Sequence, residues 1–178
     1  MTGKTKDNSM KNIVLTGFMG TGKTEVGKEL SRLLGMSFID IDHEIEKSEG
    51  CTITALFASR GEEYFRQVEA SIIRQFSSIQ GAVISTGGGA VLKEENIKTL
   101  QSTGVIFCLT AAPQTILQRT DGHDNRPLLL SADRKARITE LLEQRKPLYE
   151  KAGTMIDTEG KTPLQVAEEI IEKVSWTK

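Results

Sequence analysis

Residues 17–24 read G-F-M-G-T-G-K-T, and no other stretch of the chain narrows its possible folds as much. The run fits the phosphate-binding pattern GxxxxGK[ST], with Gly17, Gly22, Lys23 and Thr24 at the defining positions. Backbone that curls around a phosphate must turn successive N–H groups inward, and glycine allows this without a Cβ clash. In such a loop Lys23 reaches the β- and γ-phosphates and the Thr24 hydroxyl serves Mg²⁺. The flanks decide whether the pattern carries meaning. Before it, Ile13, Val14 and Leu15 form a short apolar run that reads as a strand; after it, Val26, Leu30, Leu33 and Leu34 recur at helical spacing. Strand, loop and helix in that order is the context a phosphate loop requires.

The rest of the chain repeats this alternation. Apolar runs at 13–16, 38–41, 82–86, 105–110 and, more weakly, 154–157 are separated by amphipathic stretches. Those stretches fall at 25–34, 52–60, 63–77, 94–102, 113–119, 134–150 and 163–174. Apolar strands without alternation, each followed by helix, predict an α/β fold with a parallel sheet covered on both faces. Ligands of such sheets lie outside the carboxyl ends of the strands. That rule directs attention to 17–24, 40–42, 87–89 and the segment after Thr110. Residues 121–133 begin polar, carry Arg126 and show no clear period. A loop that long in a compact domain is expected to be functional or disordered.

The bulk properties bound the partners. A chain of 178 residues suits one domain, 1–178, with its first ten polar residues as a loose tail. Its 38% hydrophobic and 26% charged content is that of an ordinary globular protein. A net charge of −1 gives no general attraction to nucleic acid or to an acidic membrane. No apolar run approaches the ~18 residues that a membrane span needs. Cys51 and Cys108 have no metal-ligand spacing and read as reduced, buried thiols of a cytoplasmic protein. No apolar stripe is left over for a subunit interface, so a monomer is expected.

Four further constellations carry chemistry. Asp40 and Asp42 flank Ile41 at the end of the second apolar run, and i and i+2 in a strand share a face. They read either as solvated acids or as two carboxylates aimed at one site. Many phosphate-loop enzymes place a magnesium aspartate on the third strand, yet here that strand ends in Thr86 and Gly87. Asp40 is then the candidate metal ligand, and Asp42 is free for a substrate hydroxyl. Arg66 and Glu69 stand at i,i+3 in a helix opened by Gly61, either as a surface ion pair or as part of the site. Phe57 and Phe65 nearby read as core residues or as pocket walls. Gly87-Gly88-Gly89 directly follows a strand. Three glycines in a row are entropically costly and suit a ligand's close approach or a converging set of N–H groups, unless they form a permissive turn. Arg126 on the long loop is placed to cover transferring phosphoryl charge. Arg145, near Pro147 and Tyr149, reads equally as a returning cation or as a solvated surface arginine.

Together these motifs resemble the shikimate kinase family over residues 11–174. The resemblance rests on GxxGxGKT at 17–24, F-I-D-I-D at 38–42, G-E-E-Y-F-R at 61–66 with Glu69, T-G-G-G at 86–89, R-P-L-L at 126–129 and R-x-P-L-Y at 145–149. It implies a three-layer P-loop kinase fold: a five-stranded parallel sheet of order 2-3-1-4-5, helices on both faces, and a mobile lid over 121–133. It implies ATP as co-substrate, Mg²⁺ as cofactor, and phosphorylation of the 3-hydroxyl of shikimate on the route to chorismate and the aromatic amino acids. Lys23, Asp42 and Arg126 are then catalytic. Gly20, Thr21, Gly22, Lys23, Thr24, Arg119 and Arg126 bind the nucleotide, with Arg119 and residues 158–163 bordering the adenine. Asp42, Arg66, Gly87, Gly88, Gly89 and Arg145 bind shikimate, and Thr24 with Asp40 organises Mg²⁺. The neighbouring alternatives are a gluconokinase-like enzyme and a nucleotide-binding module without catalysis. The presence of Asp42, Arg66 and Arg126 argues against the latter, since a pure binder has no use for a base beside the phosphate loop.

Overall fold

The computed structural model describes residues 11–120 and 133–174. The expected tail at 1–10 and the expected lid, with Arg126 and the R-P-L-L motif, lie outside the described residues except for Asp133. Five strands form one sheet: β1 (Asn12–Gly17), β2 (Ser37–Asp40), β3 (Ala82–Ser85), β4 (Gly104–Thr110) and β5 (Thr154–Asp157). Their spatial order is β2-β3-β1-β4-β5, and every neighbouring pair is parallel. This is the order the resemblance implied.

Both faces of the sheet are buried because the strands are apolar at successive positions. In β1, Val14 packs into one cluster with Ile41, Ile45, Leu56, Ile73 and Leu100, while Ile13 and Leu15 pack on the other face with Val26, Leu30, Val166 and Ile170. β4 divides in the same way, with Ile106 and Cys108 on the first face and Phe107 and Leu109 on the second. The two-residue period of a strand thus sends alternate side chains to two helical layers. The first layer contains α2 (Ile41–Glu49), α3 (Ile53–Ser77) and α4 (Glu94–Thr103), and the second contains α1 (Lys23–Leu34) and α7 (Pro163–Lys173). A third cluster of Phe18, Ala111, Ile116, Ile138 and Leu141 joins the phosphate loop to α5 (Pro113–Thr120) and α6 (Arg134–Ala152).

The structure corrects the sequence reading around residue 41. β2 ends at Asp40, and Ile41 opens a helix that the apolar pattern of 38–41 concealed. Three features start and stop α2. Asp40 caps it by accepting from the backbone N–H groups of Asp42 and His43, Ile41 and Ile45 bury one face, and Gly50 ends it in the left-handed region at φ 67°. The two stretches expected at 52–60 and 63–77 are one element, α3, bent at Gly61, whose φ of 80° and ψ of 171° no other residue type adopts readily. Both cysteines are free thiols, but only Cys108 is buried; Cys51 is half-exposed at the end of α2. Among the described residues no helix is long and apolar enough to cross a membrane.

Candidate active site

The carboxyl ends of β1, β2 and β3 open onto a cavity of about 520 Å³. Asp40, Asp42, His43 and Glu46 line it from the β2–α2 corner, and Thr52, Ile53, Thr54, Phe57, Phe65, Arg66 and Glu69 from α3 and its cap. Gly87, Gly88 and Gly89 form its floor, and Met19 and Arg145 close it. All the residues assigned above to shikimate therefore meet in one cavity. Arg145, which spacing alone left open, is only 6% exposed, with its guanidinium 5.7 Å from the ring centre of Phe18.

The phosphate loop adjoins this cavity. Gly17, Gly20 and Gly22 take φ values of 133°, 77° and 91°, so the loop's curl depends on residues without a Cβ. Lys23 lies across the arch, its Nζ donating to the carbonyls of Gly17 at 2.8 Å and Phe18 at 3.0 Å. The Thr21 hydroxyl is buried and donates to Phe18 O at 2.7 Å. α1 has Gly22 at its N-cap position and, like α4, no side-chain cap, whereas α2, α3, α6 and α7 each have one. Uncapped N–H groups behind a glycine loop are suited to phosphate oxygens. On the far side of the loop Arg119 donates to Gly20 O at 3.4 Å and to Thr158 Oγ1 at 3.2 Å.

Asp40 couples the two halves. Its Oδ1 accepts from Asp42 N at 3.1 Å and its Oδ2 from Thr24 Oγ1 at 3.1 Å. Asp40 and Asp42 do converge, but not by sharing a strand face as the spacing predicted. One is the last residue of a strand, and the other stands in the first turn of the following helix.

The glycine triplet proves necessary for space rather than for φ, since none of the three has a positive φ. A Cβ on Gly87 would lie 2.7 Å from Asp42 Oδ1 and 3.0 Å from Glu69 Oε1. One on Gly88 would meet Gly17 O at 3.1 Å and Met19 N at 3.3 Å, and one on Gly89 would collide with the guanidinium of Arg66. Each glycine thus lets a different part of the site close in: the carboxylates, the phosphate loop and the arginine. The Tyr149 hydroxyl fixes the floor by donating to Gly88 O at 2.6 Å.

Arg66 and Glu69 are not the surface pair that their spacing allowed. Arg66 Nη1 donates to Glu69 Oε2 at 2.8 Å, Nη2 reaches Glu62 Oε1 at 3.1 Å, and Glu69 is fully buried. Burial raises the Glu69 carboxyl to about 7 against the opposing charge of Arg66. Burial also raises Asp42, with the neighbouring Asp40 adding to it and Lys23 opposing, to about 6. Asp42 Oδ1 and Glu69 Oε1 are buried with no hydrogen-bond partner among the described residues. Enclosure of Glu69 was not visible in the sequence, because i,i+3 spacing looks the same on an exposed and a buried helical face.

A sequence model of the shikimate kinase family matches residues 19–175. The chain belongs to the shikimate kinase family. It is 51% identical over 164 residues to a shikimate kinase of Thermodesulfovibrio yellowstonii, covering 92% of this chain and 95% of that protein. A shikimate kinase of Caldanaerobacter subterraneus is 48% identical over 91% of this chain and 95% of its own length. Among solved structures, a shikimate kinase from Acinetobacter baumannii in complex with shikimate superposes with a TM-score of 0.91, at 36% identity and 94% coverage of both chains. As a shikimate kinase family member the chain is an ATP-dependent kinase. A gluconokinase from Sinorhizobium meliloti also aligns, with a TM-score of 0.60 over 91% of this chain and 90% of that one. At 17% identity it shares the fold alone.

Proposed function

We propose that the cavity takes shikimate and the phosphate loop takes ATP, so that the γ-phosphoryl group passes to the 3-hydroxyl and leaves shikimate 3-phosphate and ADP. The observation that carries this reading is Asp42 Oδ1, a buried and unpartnered carboxylate oxygen in the same cavity as the buried Arg145 and the largely enclosed Arg66. Shikimate offers the matching pair of groups, a carboxylate and an alcohol held apart by a rigid ring. Arg66 and Arg145 hold the carboxylate through charge-assisted bonds, and Glu69 and Glu62 fix the direction of the Arg66 fork. The N–H groups of Gly88 and Gly89 complete that end. Asp42 accepts a hydrogen bond from the 3-hydroxyl and takes its proton as the new O–P bond forms. Its carboxyl, lifted to about 6, is still ionised at neutral pH yet holds a proton more firmly than an ordinary aspartate.

Lys23 offsets the charge that develops on the transferred group, and Arg126 is assigned the same task from the family pattern. Arg119 and residues 158–163 border the base. The donors of Thr24 and Asp40 fit Mg²⁺: a hydroxyl and a carboxylate, 3.1 Å apart at the start of α1, are hard oxygen ligands. The described residues contain no group of three His, Cys, Asp or Glu that could hold a metal, which suits an ion sharing its shell with phosphate and water. When bound, that ion neutralises the β- and γ-oxygens. The proposal includes action as a monomer in a reducing cytoplasm. The chain's two free thiols suit a reducing compartment.

Steady-state turnover with shikimate, its neutral amide and gluconate tests the reading. Shikimate is expected to be phosphorylated far faster than either. Equal turnover of acid and amide, or better turnover of gluconate, overturns the acceptor assignment and leaves the kinase standing.

A further inference from the structure

On the nucleotide side, α5 and the loop after β5 are joined by a carboxylate that the proposed chemistry does not use. Glu159 Oε1 accepts from the Thr115 hydroxyl at 2.6 Å, and its Oε2 accepts from the backbone N–H of Ala112, just before α5, at 3.1 Å. One helical turn beyond Thr115, Arg119 donates from Nη1 to Thr158 Oγ1 at 3.2 Å and from Nη2 to Thr158 O at 3.4 Å. Ala112, Thr115 and Arg119 follow one side of α5. The helix and the loop are therefore tied at two levels, by Glu159 at the helix start and by Arg119 a turn later. Thr158 is in turn pinned to β4, its N–H and hydroxyl both donating to Thr110 O at 2.9 and 3.0 Å. The loop's own direction is set by Glu159 N donating to Asp157 Oδ1 at 3.0 Å and by Gly160 at φ 66°.

We propose that Glu159 is a positioning residue for the nucleotide: by clamping the start of α5 to the loop after β5, it fixes Arg119 and residues 158–163 relative to one another as the surfaces that border the base. This rests on the reading that ATP places its base against those residues. Neither oxygen of Glu159 is needed to touch the nucleotide. Its effect is to order both walls beforehand, so that binding does not lose the freedom of a loose loop and a frayed helix start. The hydrogen bonds from Thr115 and Ala112 hold the carboxyl below its usual range, so the clamp keeps its charge at neutral and mildly acid pH.

The test is a KM-against-kcat split in the full chain. Glu159→Ala should raise KM for ATP and the dissociation constant for ADP about tenfold, with kcat and KM for shikimate within about twofold. Thr115→Val, which keeps the shape and removes the hydroxyl, should raise KM for ATP by a smaller factor, and Thr115→Ser should restore it. The double variant Glu159→Ala/Thr115→Val should bind ATP no worse than Glu159→Ala alone, since both remove one clamp. Arg119→Ala separates the two ideas. If Arg119→Ala weakens ATP binding while Glu159→Ala leaves KM for ATP within about twofold, the clamp is wrong and the base site stands. If Arg119→Ala has no effect either, the base lies elsewhere and both statements fall. A Glu159→Ala enzyme that loses kcat and affinity for both substrates in parallel also overturns the clamp, because that is the signature of general destabilisation.

Discussion

The acceptor side and the nucleotide side of this cleft are built from opposite materials. On the acceptor side charge is enclosed: Glu69 is fully buried, Arg145 nearly so, and two carboxylate oxygens have no partner among the described residues. On the nucleotide side the shape comes from backbone, with Gly17, Gly20 and Gly22 at positive φ, and the side chains of Thr24 and Glu159 lie in solvent. Buried charge discriminates by electrostatics and responds to pH, because enclosure raises the carboxyls of Asp42 and Glu69. Backbone geometry discriminates by fit and has nothing to titrate. Acceptor binding should therefore be sensitive to charge-neutral substitutions of the same shape, and nucleotide binding to changes of shape.

The largest expected effect tests the charge set within the backbone loop of the nucleotide side. Lys23→Met removes the cation that spans the loop, so turnover should fall by about a thousandfold or more with little change in melting temperature. Turnover within tenfold of the parent would remove the phosphate-loop assignment and with it the comparison. Next comes the proposed base of the acceptor side. Asp42→Asn keeps the shape and removes the charge, and kcat should drop by about a hundredfold while ATP affinity stays nearly constant. In the parent, kcat/KM should fall on the acid side as pH passes below about 6, where Asp42 becomes protonated. A loss of ATP affinity equal to the loss of kcat would show that the two sides are not separable in this way.

A third comparison isolates the arginines. Arg145→Ala leaves a substrate carboxylate in a desolvated cavity with half its partners, at an expected cost of about 2 kcal/mol, or roughly thirtyfold in KM for shikimate. KM for ATP should be unchanged within about twofold. Steady-state rates with each substrate varied in turn read both quantities, and an effect on ATP as large as that on shikimate would blur the division.

The two regions also differed in how legibly they were written. The phosphate loop is local: eight consecutive residues specify it, and the structure has β1 end at Gly17 and α1 open at Lys23 around the loop, as the motif requires. The sheet order followed from family resemblance rather than from periodicity, which identifies strands but not their neighbours. The acceptor side is assembled from α2, α3, α6 and the turn after β3, so its logic is tertiary. Helix α2 was missed because Phe38, Ile39 and Ile41 continue an apolar run through the cap. The usable signals were Asp40 as a cap, Ile41 and Ile45 at i,i+4, and Gly50 as a stop. The glycine triplet advertised a close approach but not by what, since Asp42, the phosphate loop and Arg66 come from three different elements. The enclosure of Glu69 and of Arg145 likewise depends on neighbours distant in sequence.

The smallest expected effect is on stability, and it follows from the sign of a titration. In the folded chain Asp42 has its carboxyl raised to about 6, against 3.8 when free in solvent. The folded state therefore binds this proton more tightly than the unfolded state. Its favourable contribution is complete below 3.8 and is lost as pH rises through 6, leaving a penalty at neutral pH and above. Asn at this position carries no such penalty at any pH. Asp42→Asn should thus be more thermostable than the parent near pH 7.5, by roughly 2–4 °C, and the advantage should shrink toward pH 4.5. Groups that Asp42 does not influence cancel in the difference; Glu69, whose carboxyl the charge of Asp42 helps to raise, is relieved in the variant too and adds in the same direction. Glu69 should impose the same kind of penalty between 4.5 and about 7, but its substitution also unpairs Arg66, so Asp42 is the cleaner probe. Melting temperatures of parent and variant across that range decide the matter. A difference that is flat in pH would mean that Asp42 is as well solvated as the side chains of the nucleotide side, and the contrast between enclosed and open charge would fail at the residue proposed as the base.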